Sequence, residues 1–274
     1  MSALTPFSSV IAGRERQGRS VTFHLHADWQ QGRTAYGGVV AAVAAQAMRD
    51  VAGAAWPADV TLRSLQCAFV SVVAAGDATA QVEVLRQGRN VCHVMARVGN
   101  GDAPGSVLIG VYSADRPSVM TPRAPQRPPA PAEADALREL VFRADRMPPF
   151  FQHLDARVAW GERPFSGRRS DRSVIHLKLR DPGVGTLEPE VLAVLLGDMP
   201  ATPALSELPG PAATSSVTWG LELRPVPRAA VDGWWRIDSE SVVVDGGYVN
   251  HAARLWAPDG RVAALGTQVV TAFG

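Results

Sequence analysis

The chain has 274 residues, of which 46% are hydrophobic and 19% are charged, a composition that excludes a disordered chain. Its 27 basic and 26 acidic residues give a net charge of +1, so neither nucleic acid nor a membrane is an expected partner. The longest apolar run, residues 39–45, is too short to span a bilayer, and residues 1–20 lack the apolar core of a signal peptide. We therefore predict a cytoplasmic protein. Two cysteines are too few for a disulfide framework or a cysteine metal site, and we predict no metal.

The first half of the chain predicts a strand, a long helix and four more strands. Apolar residues alternate over 21–25, as in a half-buried strand. Residues 39–52 contain no Pro or Gly and are apolar on nearly all sides, which predicts a long buried helix. Strand-like runs follow at 59–70, 78–87, 90–98 and 106–113, separated by glycine-rich turns.

The second half repeats this order after a linker. Residues 115–135 are rich in Pro and Ala and predict a linker, and 136–150 predicts a short helix that leads out of it. We therefore place one domain at 1–114 and a second at 136–274. The second domain has a predicted strand at 173–180, a helix at 188–199, and strand-like runs at 214–224, 233–244, 248–257 and 261–273.

A helix that is apolar all round must be enclosed, and in each half the candidate to enclose it is a curved antiparallel sheet. That arrangement is the hotdog architecture. The repeated order of elements therefore predicts an α+β double hotdog, in which two antiparallel sheets each wrap around a long central helix.

Gly37 and Gly38 directly precede the first long helix. They suit a tight turn from strand to helix, and they also let a substrate approach the backbone closely. Free N–H groups at the helix start then polarise a carbonyl oxygen or receive an oxyanion.

Asp198 follows an apolar run in the second helix. A buried carboxylate is costly unless it is paired, hydrogen-bonded or used in chemistry, so Asp198 is either a helix-end residue before Pro200 or a general base that activates water. Gln268 is the one strongly polar side chain in residues 262–273, and Ser215 and Ser216 begin a strand that should run beside the helix. Together these residues could surround one water molecule.

The chain resembles the acyl-CoA thioesterase II-like proteins over about residues 20–273. The motifs that carry this resemblance are Tyr36-Gly37-Gly38-Val39, Leu85-Arg86-Gln87-Gly88-Arg89, Gly197-Asp198-Met199, Pro203-Ala204-Leu205, Arg224-Pro225, Asp259-Gly260 and Thr267-Gln268. The resemblance implies the double-hotdog fold and a hydrolytic group of an Asp, a Ser or Thr, and a Gln. These roles fall on Asp198, on Ser215 or its neighbour Ser216, and on Gln268.

The resemblance implies hydrolysis of an acyl thioester, on coenzyme A or an acyl carrier protein, by Asp198-activated water. Coenzyme A would be part of the substrate and no other cofactor is expected. Tyr36, Gly37 and Gly38 are expected at the acyl group, and Arg33, Arg86 and Arg89 are candidates for coenzyme A phosphates. Pairing of hotdog sheets between copies would give a homo-oligomer.

Two other functions stay open at the level of sequence. One is a non-catalytic protein that binds acyl thioesters or other hydrophobic ligands. The other is a hotdog hydratase or dehydratase, whose chemistry uses an Asp and a His about five residues later, where this chain has Pro203.

Overall fold

The computed structural model describes residues 4–199 and 201–273. Its α-helices are α1 (Phe7–Ala12), α2 (Gly37–Ala52) and α3 (Pro189–Gly197). The strands of the first half are β1 (Glu15–Gln17), β2 (Ser20–Leu25), β3 (Gln30–Gln31), β4 (Thr34–Ala35), β5 (Thr61–Phe69), β6 (Gly76–Gln87), β7 (Val91–Gly99) and β8 (Ser106–Ser113). The strands of the second half are β9 (Leu154–Trp160), β10 (Arg172–Leu179), β11 (Ala213–Leu223), β12 (Trp235–Asp245), β13 (Tyr248–Trp256) and β14 (Val262–Phe273).

Short 3-10 turns connect several of these elements. They span Ala27–Trp29, Gly53–Ala55, Ala134–Ala136, Pro149–His153, Val184–Thr186, Pro203–Glu207 and Arg228–Ala230. Among the described residues, no helix is both long and apolar enough to cross a membrane.

Twelve strands form one continuous antiparallel sheet, which corrects the expectation of two separate sheets. The strand order is β1-β2-β6-β7-β8-β5-β11-β14-β13-β12-β10-β9. The halves meet where β5 pairs with β11, for example Cys67 with Trp219 and Leu65 with Leu221. This pairing satisfies the backbone groups that each half would otherwise expose along one sheet edge.

Both long helices lie on the same face of this sheet and pack against each other. A Cβ atom added at Gly110 would meet Met48 of α2, and one added at Gly197 of α3 would meet Leu221. Leu65 of β5 pairs with both Gly110 and Leu221, so the side chains that meet the two helices share one face. Each half therefore wraps its sheet around its own helix, and the helices touch across the junction.

Several local predictions differ from the structure. Residues 136–150 do not form the predicted helix. The Leu140 N–H bonds instead to the Ala156 carbonyl oxygen of β9, and Pro148 then gives an extended entry into the turn Pro149–His153. Helix α3 ends at Gly197, one residue before Asp198, rather than at residue 199. Helix α1 and strand β9 were not among the predicted elements.

The linker region has no helix or strand between Ser113 and Ala134, and residues 115–126 are exposed throughout. Its later part is tied to the second half. Arg236 donates from Nη1 to the Pro128 carbonyl oxygen at 2.7 Å, and His176 Nε2 lies 3.1 Å from the Ala132 carbonyl oxygen. The predicted domain limits at 114 and 136 stay a prediction, which the following experiment tests.

We expect limited trypsin digestion of the native protein to cut first between Arg123 and Ala124. Exposed backbone without regular structure is the preferred site of nicking, and trypsin cuts poorly at Arg116 and Arg127 because proline follows each. The two fragments should stay together on size exclusion, because β5 pairs with β11. Mass spectrometry identifies the cut, and Arg123→Gln is the matched control that should slow it. A first cut inside either half would contradict the proposed linker.

Candidate active site

Asp198 lies at the junction of the two halves. It directly follows α3 of the second half, and its carboxyl faces the first residues of α2 from the first half. A Cβ atom added at Gly37 would lie 2.6 Å from Asp198 Oδ2, so the absence of a side chain there permits this approach. The Gly38 backbone N–H donates a hydrogen bond to the same carboxyl.

The helices come this close because Gly38 also lacks a side chain. A Cβ atom at Gly38 would collide with the Leu195 carbonyl oxygen of α3. Tyr36 strengthens the contact, since its hydroxyl donates to that Leu195 oxygen at 3.0 Å and its ring stacks on Phe150 at 4.0 Å. The Tyr36-Gly37-Gly38 motif therefore positions the amino end of α2 against Asp198.

Gln268 of β14 joins Asp198 to Ser216 of β11. Its Nε2 donates to Asp198 Oδ1 at 2.8 Å and to Ser216 Oγ at 2.9 Å. Because Ser216 Oγ accepts from Gln268, its own hydrogen is free to point to a third partner. Each of the three residues keeps part of its surface accessible, although the Asp198 carboxyl itself is enclosed by protein.

Ser215 is placed away from this group, and Ser216 occupies the position expected for it. The Ser215 side chain is exposed, and its hydroxyl donates to the Ser216 carbonyl oxygen at 3.3 Å. The cause is a bulge in β11, where Ser216 and Thr218 pair with the consecutive residues Val270 and Val269. One extra residue in a strand reverses which side chains face the core.

Burial dominates the electrostatics of Asp198. Removal from water raises its pKa from 3.8 to about 7, against the opposing hydrogen bonds from Gln268 and Gly38. A carboxyl with this pKa exchanges its proton near neutral pH, as an effective general base must.

The groups that face Asp198 across the site keep their protons. Burial, followed by the negative charge of Asp198, raises the pKa of both Tyr36 and Cys67. Cys67 reaches the site because it pairs with Trp219 on the strand that also carries Ser216. None of the described groups that shift the pKa of Asp198 is a cation, so no positive side chain favours its charged form.

The arginine candidates divide between the two ends of α2. Arg86 and Arg89 belong to the β6–β7 hairpin, whose Gln87 accepts a hydrogen bond from Trp56 just beyond the carboxyl end of α2. A helix of 16 residues is roughly 24 Å long, so these two residues lie far from Asp198. Arg33 is exposed in the β3–β4 turn, three residues before Tyr36.

A further polar residue, His251 of β13, lies beside this group and was not among the sequence candidates. It pairs with Gln268 across the β13–β14 ladder and is only 6% exposed. The inward-facing position of His251 depends on strand register, which the sequence alone does not supply.

Two family models match the chain. An acyl-CoA thioesterase N-terminal domain matches residues 25–114, and an acyl-CoA thioesterase C-terminal domain matches residues 122–272. This chain belongs to the acyl-CoA thioesterase family. The family places the protein among enzymes, so the alternative of a non-catalytic binding protein is set aside.

Solved structures of similar fold cover nearly the whole thioesterase chain. A hotdog-fold protein of unknown function from Alicyclobacillus acidocaldarius has a TM-score of 0.79 at 17% identity and covers 98% of both chains. A putative thioesterase II from Thermobifida fusca has a TM-score of 0.78 at 17% identity and covers 100% of both chains. A TesB protein from Mycobacterium avium subspecies paratuberculosis has a TM-score of 0.76 at 16% identity and covers 98% of this chain and 100% of that one. These likenesses show the double-hotdog fold, and no curated protein matches the chain.

Proposed function

We propose that this thioesterase hydrolyses acyl-CoA by direct attack of a water molecule that Asp198 deprotonates. The observation that carries the proposal is the buried Asp198 carboxyl, hydrogen-bonded to Gln268 and facing the amino end of α2. The family supplies the thioester substrate, and these contacts supply the chemistry.

Each group has one proposed task. The Asp198 carboxylate takes a proton from water as the water oxygen attacks the thioester carbonyl carbon. Gln268 holds Asp198 and Ser216 in fixed relative positions through its two N–H donors. The Ser216 hydroxyl donates its remaining hydrogen to the water or to the carbonyl oxygen.

The negative charge that develops on the carbonyl oxygen needs a donor. The first N–H groups of α2, beyond the one that Gly38 gives to Asp198, are the proposed source, because the amino end of a helix carries partial positive charge. Collapse of the tetrahedral intermediate then breaks the carbon–sulfur bond and releases the carboxylic acid. The proton that Asp198 took from water passes to the departing sulfur, which leaves as the thiol.

Direct water attack is favoured over an acyl-serine intermediate. A nucleophilic serine needs a base hydrogen-bonded to its hydroxyl, whereas the described partner of Ser216 Oγ is the Gln268 amide, which donates to it. We further propose that no resident metal or cofactor takes part, since the chain itself provides the base and the donors. The cytoplasmic location and the homo-oligomer stay predictions.

The hydratase alternative requires an Asp and a His that both reach the substrate. Here the position five residues after Asp198 is Pro203, and His251 lies on the far side of Gln268 as the pairing of β13 with β14 places it. The geometry therefore favours hydrolysis.

We expect kcat/KM for thiol release from acyl-CoA to be level above about pH 7 and to fall about tenfold for each pH unit below it, because only the ionised Asp198 accepts a proton.

Asp198→Asn removes that acceptor, and activity should fall by at least about a hundredfold. The measurement is thiol release across a panel of acyl-CoA chain lengths from pH 5 to 9. Asp181→Asn serves as a control for a lost carboxylate, because Asp181 bonds to Ser8 and Gly183 and to no residue of the site. Hydrolysis by folded Asp198→Asn at the wild-type rate would contradict the mechanism.

We expect Ser216→Ala to lose more activity than Ser215→Ala, although the two residues are adjacent. Only Ser216 Oγ bonds to Gln268, so its loss should lower kcat roughly tenfold or more, while Ser215→Ala should stay near wild type. Ser216→Thr keeps a hydroxyl and should retain more activity than Ser216→Ala. A larger loss in Ser215→Ala would contradict the assignment of Ser216 to the site. A burst of thiol equal to the enzyme concentration would instead indicate an acyl-enzyme.

A further inference from the structure

The Gln268 amide has a donor side and an acceptor side, and only the donor side is occupied by the proposed catalytic residues. Its two N–H groups point to Asp198 and Ser216. Its oxygen Oε1 must therefore face elsewhere, and a primary amide can turn by half a rotation to exchange the two sides. Something has to hold it in the productive orientation.

His251 lies on the acceptor side. Cross-strand partners share a face of the sheet with Cβ atoms about 5 Å apart, and His251 is the partner of Gln268 on β13. The ring is 6% exposed, and the Gln268 side chain interacts with it. Among the described residues, neither ring nitrogen has a hydrogen-bond partner within ordinary bonding geometry, so the ring is buried and unpartnered.

The cross-strand neighbour of His251 on β12 already has hydrogen-bond partners of its own. Ser241 of β12 pairs with His251, but its hydroxyl lies 2.9 Å from Thr202 Oγ1 and accepts from the Ala204 N–H at 2.9 Å. Buried polar groups are normally hydrogen-bonded, and Gln268 Oε1 is the neighbouring acceptor that has no other partner in the described part of the chain. A hydrogen bond from the His251 ring to Gln268 Oε1 therefore satisfies both groups.

We propose that His251 is a positioning residue of this site, whose ring N–H donates to Gln268 Oε1 and thereby keeps the Gln268 N–H groups on Asp198 and Ser216. The proposal rests on the proposed role of Asp198 as the base. The ring acts in its neutral form, because burial lowers the pKa of His251 to about 4. A neutral imidazole supplies one N–H donor without placing a second charge beside Asp198.

Removal of the His251 donor should change the pKa of Asp198, because the Gln268 amide bonds to both residues in the proposed arrangement. A freed amide gives the carboxylate a weaker hydrogen bond, and that bond is one of the two that lower the pKa of Asp198. The pKa of Asp198 should then rise, since the other polar groups that face it are the Gly38 N–H from α2, Tyr36 and Cys67, none of which replaces the lost donor. The acid limb of the pH–rate profile should move to higher pH.

The test compares His251→Leu, His251→Asn and His251→Gln in acyl-CoA hydrolysis from pH 5 to 9. In His251→Leu we expect the acid limb to move up by about half to one pH unit and kcat to fall about three- to tenfold at pH 6, with KM little changed. One of the two amide variants should restore the limb, because each carries an N–H donor at a different reach. His176→Leu is the matched control, since His176 is also buried in the second half but interacts with the linker at Ala132.

The outcomes separate this inference from the proposed function. An unmoved limb in His251→Leu, or a shift that neither amide variant reverses, overturns the positioning role while hydrolysis by Asp198 stands. Absence of thiol release by the wild type refutes the proposed function itself. In a Gln268→Met background, His251→Leu should add no further shift, and an additional shift would overturn the route through Gln268.

A measurement on the wild type keeps the inference testable if the leucine variant does not fold. Nitrogen-15 spectra of the histidine rings should show His251 as one neutral tautomer at pH 7, with a ring N–H that exchanges slowly with water. A His251 ring that averages between tautomers, or that titrates near pH 6.5, would overturn the proposal.

Discussion

The close approach of the Asp198 carboxyl to the amino end of α2 is the constraint on which the site depends. The carboxyl comes from the second half and the helix from the first, so the site exists only where the two hotdog units meet. Three features make the approach possible: the pairing of β5 with β11, the missing side chains at Gly37 and Gly38, and the Tyr36 hydroxyl on Leu195. Neither half by itself holds both the base and the helix end.

The energetics of this contact are a balance between opposing effects. Burial disfavours the charged carboxylate, whereas the helix end and the Gln268 amide favour it. Burial is the larger effect, and the result is a carboxyl that loses its proton near neutral pH. A similar Asp on an open surface would stay ionised at neutral pH and would be a weak base, so the enclosing double hotdog serves the chemistry as well as the fold.

Much of the fold could be predicted from the sequence, because its signals are local. The apolar helix predicted at residues 39–52 and the strand runs ending at residues 113 and 273 follow from periodicity, and their positions agree with the structure to within a few residues. The union of both halves in one sheet could not be predicted, since it depends on which edge of each half is left unpaired. Residues 136–150 are not helical because the Leu140 N–H bonds to Ala156 of β9 rather than within a helix, and this long-range contact leaves no signal in the sequence.

The candidate site was predictable to the level of residue type but not of exact position. Asp198 and Gln268 stood out as polar residues in apolar segments, and the structure brings them together. Ser216 rather than Ser215 joins them because a one-residue bulge reverses the alternation of β11, and no sequence pattern marks that bulge. His251 was missed for the same reason, since only the register of β13 against β14 places it beside Gln268.

The pKa of Asp198 in the folded protein is the most direct measure of this account, and the pH dependence of stability reports it. A carboxyl whose pKa is raised on folding stabilises the native state below its unfolded pKa, and that contribution is lost as pH rises through its folded pKa. With 3.8 as the ordinary value and about 7 in the fold, wild type should lose about 3 kcal/mol of unfolding free energy relative to Asp198→Asn between pH 4 and pH 7. Urea denaturation of both proteins across this range measures the difference. A difference that stays constant from pH 4 to pH 8 would show that Asp198 titrates at its ordinary value and would contradict the account.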